Sequence, residues 1–161
     1  MKMKPEAKFW GWLRERITHS RGFEFERIEN RVGRSTPDVC FSWNIENQRS
    51  SVTRDITSGH GWIELKAIRE VSPNKKVSSE IVKVPHFTKG QKRWLSHRGA
   101  MGGFCYLLLE AGDTILLIDH MNSYAVGSKS WNEMVINSVY CCTKDRFTAD
   151  QFLALLISDH R

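Results

Sequence analysis

The sequence predicts an α/β chain whose order is helix, three strands, helix, two strands, helix. Three observations carry that prediction. Apolar residues recur at helical spacing near both ends of the chain, in Phe9-Trp10-Leu13-Ile17 and in Leu153-Leu156-Ile157. Short runs of apolar or alternating residues occupy the middle, as in Trp62 to Ile68 and Phe104 to Glu110. Polar stretches that contain glycine or proline separate them. At 161 residues the chain is read as one domain spanning 1–161.

The first helix should run from about Pro5 to Thr18, because proline suits the first helical turn. Glu6, Phe9, Trp10, Leu13 and Ile17 share one face, and Glu15 falls on the opposite, solvent side. Phe23 to Asn30 alternates and reads as a strand, followed by a turn at Val32-Gly33-Arg34-Ser35. Asp38 to Trp43 and Trp62 to Ile68 read as antiparallel neighbours. The polar connection from Asn44 to Gly59 is long for a hairpin, so it is either an extended tip or a functional loop. Ser72 to Lys83 reads as a second polar loop. A helix follows from Lys89 to His97, with Thr88 and Gln91 spaced as a capping box. Phe104–Glu110 and Thr114–Asp119 are strands joined by Ala111-Gly112-Asp113. Residues 120 to 146 carry no clear periodicity. The last helix begins at Thr148, with Gln151 placed for a capping box and Phe147 and Phe152 for a hydrophobic staple.

The formal net charge of +6 favours a polyanionic partner, since phosphate neutralisation drives nucleic-acid binding. The longest apolar run, Phe104 to Leu109, is far too short to span a bilayer, and the N-terminus lacks the apolar core of a signal peptide. A cytoplasmic protein with no membrane partner and no small-molecule cofactor is expected. Cys40 and Cys105 lie in strand-like runs and Cys141-Cys142 are adjacent, so neither structural zinc nor a disulfide framework is indicated. The six histidines show no HxxxH or HxH spacing; His60 reads as an exposed loop residue. Trp10, Trp12, Trp62 and Trp94 read as core before base-stacking platforms; Trp12, off the apolar face of its helix, is the one candidate among them for base stacking or a dimer contact.

The candidate chemistry lies in Thr36-Pro37-Asp38 and, 26 residues after Asp38, in Glu64-Leu65-Lys66. In a strand, Trp62, Glu64, Lys66 and Ile68 share one face, which sets Glu64 and Lys66 side by side, roughly 6.5–7 Å apart along the strand. A hard divalent cation takes oxygen ligands, and Mg²⁺ commonly uses one or two carboxylates and keeps several waters. Asp38 and Glu64 can supply those carboxylates. Lys66 can orient or deprotonate an attacking water, or neutralise phosphate charge.

Order and motifs together resemble the PD-(D/E)xK nuclease superfamily, in particular the VRR-NUC-type nucleases and phage Holliday-junction resolvases. The resemblance rests on Glu6, Arg27-Ile28-Glu29-Asn30-Arg31-Val32-Gly33, Thr36-Pro37-Asp38-Val39, Trp62-Ile63-Glu64-Leu65-Lys66 and Gln91-Lys92-Arg93-Trp94-Leu95. It covers about residues 5–119 and leaves 120–161 as an unmatched C-terminal extension. It implies a restriction-endonuclease-like core, a central mixed β-sheet of about five strands flanked by helices. It also implies Mg²⁺- or Mn²⁺-dependent hydrolysis of phosphodiester bonds in branched or structured DNA, and a homodimer. By the same resemblance Asp38, Glu64, the Leu65 carbonyl and Glu6 hold the metal, Lys66 is catalytic and Gln91 supports the site.

Each assignment has a plainer competitor. Glu6 could serve only the helix macrodipole, Gln91 only the capping box, and Glu15 is a rival to Glu6 disfavoured by its helical phase. Arg27 and Glu29 could form a cross-strand ion pair. Arg31 and Arg34, in the turn entering Asp38, and Lys89, Lys92 and Arg93, opening the second long helix, are the candidate phosphate contacts. Two alternatives remain: a nucleic-acid-binding module of the same fold without chemistry, and a restriction-type enzyme cutting linear duplex.

Overall fold

Six strands form one sheet in sequence order, β1-β2-β3-β4-β5-β6, in a computed structural model that describes residues 4–28, 36–45 and 58–158. The strands are β1 (Phe23–Arg27), β2 (Val39–Asn44), β3 (Ser58–Ile68), β4 (Phe104–Ala111), β5 (Thr114–Asp119) and β6 (Tyr140–Thr143). The helices are α1 (Pro5–Ile17), α2 (Pro73–Val77), α3 (Lys89–Ala100), α4 (His120–Ser123), α5 (Trp131–Ile136) and α6 (Ala149–Leu156). Neighbouring strands pair antiparallel except β3 and β4, which are parallel. That one parallel pair needs a long crossover, and the connection through α2 and α3 supplies it. The fold is therefore α/β with a mixed sheet flanked by helices, with one strand more than the sequence predicts.

Alternation along the strands divides the core in two. Val39, Phe41 and Trp43 of β2, Ile63 and Leu65 of β3, and Tyr106 and Leu108 of β4 point to one face, where Phe9, Trp10, Leu13 and Ile17 of α1 and Phe152, Leu153 and Leu156 of α6 cover them. Leu107 and Leu109 of β4 and Leu116 and Ile118 of β5 point to the other face, against Leu95 of α3 and Trp131 and Met134 of α5. Each fully buried leucine or phenylalanine contributes about 1.5–3 kcal/mol from the area it removes from water. Glu64 and Lys66 lie on this second face, beneath α3.

Several expectations are corrected here. Residues 120–146 hold α4, α5, β6 and a three-residue 3₁₀ turn at Lys144–Arg146. Together with α6 they complete the sheet and the core, and the Tyr106 hydroxyl donates to the Leu156 carbonyl at 3.0 Å. The Ser72–Lys83 loop contains α2, started by proline at its first turn and by the Ser72 hydroxyl, which accepts from the Lys75 N–H. β3 begins at Ser58, four residues before the expected strand, so His60 stands on a strand and not in a loop. Thr148 precedes α6 but its side chain makes no capping hydrogen bond. The staple does form, with Phe147 and Phe152 ring centroids 5.4 Å apart. Trp12 packs on Phe147 at 5.1 Å and beneath Arg16 at 4.2 Å, which makes it part of the joint between α1 and the C-terminal segment. All four cysteines are free thiols.

Candidate active site

The local break between β2 and β3 follows from one proline. Their ladder runs from Asn44↔Ser58 to Val39↔Ile63 and stops there. Continuing the register would set Pro37 opposite Leu65, and proline has no N–H to give. The Leu65 N–H instead donates to Asp38 Oδ2 at 3.0 Å. Within a strand the N–H and C=O of one residue point to the same edge, so the Leu65 carbonyl also faces this gap. On its other side the Asp38 carbonyl still accepts from the Ile28 N–H at 2.8 Å, which holds the residue at the sheet. The same register puts Asp38 directly across from Glu64, on the same face.

Glu64 is fully buried and Lys66 is 5 % exposed. The Lys66 ammonium donates to Glu64 Oε1 and forms a buried ion pair with it. The Gln91 amide nitrogen donates to the same oxygen. The other end of that amide, Gln91 Oε1, accepts from the Thr88 N–H at 3.0 Å, and the Gln91 N–H donates to the Thr88 hydroxyl at 3.2 Å. Gln91 therefore serves the capping box and the site at once. Capping fixes which end of the amide turns inward.

Glu64 Oε2 is buried and has no hydrogen-bond partner. Burial pushes the Glu64 carboxyl up, and the adjacent Asp38 charge pushes it further, to about 8, against the opposing pull of Lys66. An ionised carboxylate is acceptor-only, so Asp38 cannot satisfy Oε2 unless a proton lies between them. A buried oxygen in that position calls for a proton or a cation. The donor set offered is two carboxylates and a backbone carbonyl, all hard oxygen ligands of the type Mg²⁺ and Mn²⁺ take.

The remaining sequence candidates are placed as follows. Glu6 is half-buried in the first turn of α1, the helix that covers the sheet face opposite Glu64. Among the described residues no three acidic, histidine or cysteine side chains converge, so Glu6 is not gathered with Asp38 and Glu64. Glu15 is exposed. Lys89 and Arg93, four residues apart, share the exposed outer side of α3. Lys92 turns elsewhere: its ammonium donates to the Val126 carbonyl and lies 5.3 Å from the Phe87 ring centroid. Burial, then the charge of Lys83, pulls its pKa down. Arg31, Arg34, Glu29 and most of the 44–59 connection lie outside the described residues.

Sequence reasoning passed over a second row beside the site. Trp94 meets Trp62 edge-on at 5.4 Å, and the Arg98 guanidinium lies 5.7 Å from the Trp94 ring centroid. The signal was available in the spacing of Gln91, Trp94 and Arg98, which puts three side chains on one stripe of a helix. No protein-family model matches the chain, and no curated protein matches it in sequence.

Proposed function

We propose that the chain is a metal-dependent endodeoxyribonuclease that hydrolyses phosphodiester bonds in DNA. The observation that supports it best is the unpartnered, buried Glu64 Oε2 beside the Asp38 carboxylate, at a gap that also presents the Leu65 carbonyl. These residues suit a hard divalent cation. Asp38 and Glu64 would hold it, with Leu65 as a backbone ligand. When bound, Mg²⁺ or Mn²⁺ supplies Lewis acidity and a water of lowered pKa.

The chain's own groups do the rest. Gln91 and Lys66 fix the Glu64 carboxylate through Oε1, leaving Oε2 directed to the ligand position. Asp38 is oriented by the Leu65 N–H. An ammonium has three donors and Lys66 spends one on Glu64, so the others serve the attacking water or a phosphate oxygen. The positive net charge supports backbone contact without base reading. Branched or partly unpaired DNA is the proposed substrate class, in keeping with the resemblance to junction-cutting nucleases. A homodimer would let two cuts be made symmetrically.

The test is cleavage of linear, nicked, flapped, forked and four-way DNA, with and without Mg²⁺, by the wild type and by Asp38→Ala and Lys66→Ala. Metal-dependent nicking lost in both variants is expected. Wild-type cleavage by both variants rules the assignment out. Metal-independent binding without cleavage would leave the inactive binding module, and preference for linear duplex the restriction-type enzyme.

A further inference from the structure

The α3-facing side of β3 carries more than the metal ligands. Ser58, His60, Trp62 and Glu64 are alternate residues of one strand and line one face at steps of roughly 6.5–7 Å. α3 runs beside them and answers in register: Gln91 on Glu64, then Trp94 on Trp62, then Arg98 beyond. At the start of β3 and β4 this row ends in a cavity of about 290 Å³. Its lining includes Trp43 and Phe104 together with His60, Trp62, Arg98 and Met101. His60 and Arg98 are exposed, Trp62 is half-buried, and Met101 is 75 % exposed.

We infer that this cavity receives one unpaired base of the DNA strand being cut, stacked on Trp62, with its phosphate held by Arg98 and His60. Three features argue for that occupant. The Trp62 indole, with the exposed Met101 thioether and the Arg98 guanidinium beside it, offers a flat apolar surface and a cation to a nucleotide's base and anionic backbone. The volume stands at the low end for small-ligand sites, which accommodates a single base. The position is continuous with the proposed metal site, Trp62 one step and His60 two steps along the strand from Glu64. A paired base cannot enter without leaving its stack, so the cavity selects DNA already unpaired beside the cut, as in a flap or an open junction. The location of the cut rests on the nuclease reading; the binding does not.

The experiment measures binding by the full chain in chelator, using an oligonucleotide with a fluorescent purine analogue at an unpaired position next to a duplex. The control carries the same analogue base-paired. Quenching on binding is expected for the unpaired form alone. Trp62→Ala should weaken binding of the unpaired form roughly 5- to 140-fold, the range for loss of one base stack. Trp62→Phe should restore most of it. Arg98→Glu, at an exposed position, should weaken it without touching the core. Equal affinity for paired and unpaired DNA overturns the proposal, as does wild-type binding by both Trp62→Ala and Arg98→Glu. Quenching that depends on Trp62 in a protein that never cleaves would sink the nuclease reading and leave the pocket. Cleavage of flapped DNA indifferent to Trp62 and Arg98 would do the reverse.

Discussion

Metal-free protein should lose stability as the pH rises from about 5 to about 8, and Glu64 should be the cause. In the folded chain its carboxyl is raised from 4.5 to about 8 by burial and by Asp38. Over that interval the folded state keeps a proton that the unfolded state has released. The folded state therefore binds more protons, and stability falls with pH by up to about 1.4 kcal/mol per unit. Across the whole shift the ceiling is about 5 kcal/mol, comparable with the entire stability of many single domains. Below pH 4.5 both states are protonated, and above 8 both are ionised, so the slope vanishes at either end. The assay is urea unfolding in chelator at a series of pH values for the wild type and Glu64→Gln. Glutamine cannot ionise, so the stability difference between the two should grow by several kcal/mol between pH 5 and pH 8 in the variant's favour, whatever constant offset the altered hydrogen bonds add. Saturating Mg²⁺ should flatten the wild-type curve, because a cation held by Asp38 and Glu64 favours the ionised form. A wild type that runs parallel to Glu64→Gln across this range would refute the reasoning.

Gln91→Ala should cost about 2–4 kcal/mol in chemical unfolding, since it removes half a capping box and a donor to a buried carboxyl together. Gln91→Glu keeps an acceptor for the Thr88 N–H but sets a third carboxylate against Glu64; it should destabilise the metal-free protein more at pH 8 than at pH 5, and equal loss at both would contradict the two-ended role given to Gln91. Pro37→Ala restores an N–H opposite Leu65 and should leave urea stability within about 1 kcal/mol of wild type, while Mg²⁺-dependent cleavage falls as the ladder closes over the Leu65 carbonyl. Gly99→Ala should destabilise by about 1–3 kcal/mol in a thermal melt, because a Cβ there would come within 1.9 Å of the His120 ring.

How much of this was legible in the sequence differs from element to element. Alternation fixes faces, so Glu64 and Lys66 could be set side by side, and the short separation of Asp38 could place it on a neighbouring strand. The helical phase of Glu6 puts it on the buried side of α1, but phase cannot say which face of the sheet a helix will cover. α1 covers the face away from Glu64. Residues 120–146 were opaque because their elements are three to six residues long. Such pieces are too short for periodicity and are held by side-chain caps, Asp119 on the Asn122 N–H and Ser130 on the Glu133 N–H, and by tertiary packing. Lys92 shows the same limit. Its place in a basic helix start suggested phosphate contact, whereas the fold brings the Val126 carbonyl to it from 34 residues away.

Gln91 and Pro37 share a logic that links fold to site. In each, a residue that local rules explain completely also leaves one group over, and that group faces the candidate site. A capping box needs only Oε1 of Gln91, which frees the amide nitrogen to pin Glu64. A strand ends at Pro37 because its ring nitrogen cannot donate, which turns the Leu65 N–H to Asp38 and its carbonyl to the same gap. Weighing a structural role against a functional one at such positions is therefore a false choice. Loss should follow the leftover group: Gln91→Glu keeps the capping acceptor and removes the inward-facing donor, so its effect should appear at Glu64 and grow with pH while the cap holds.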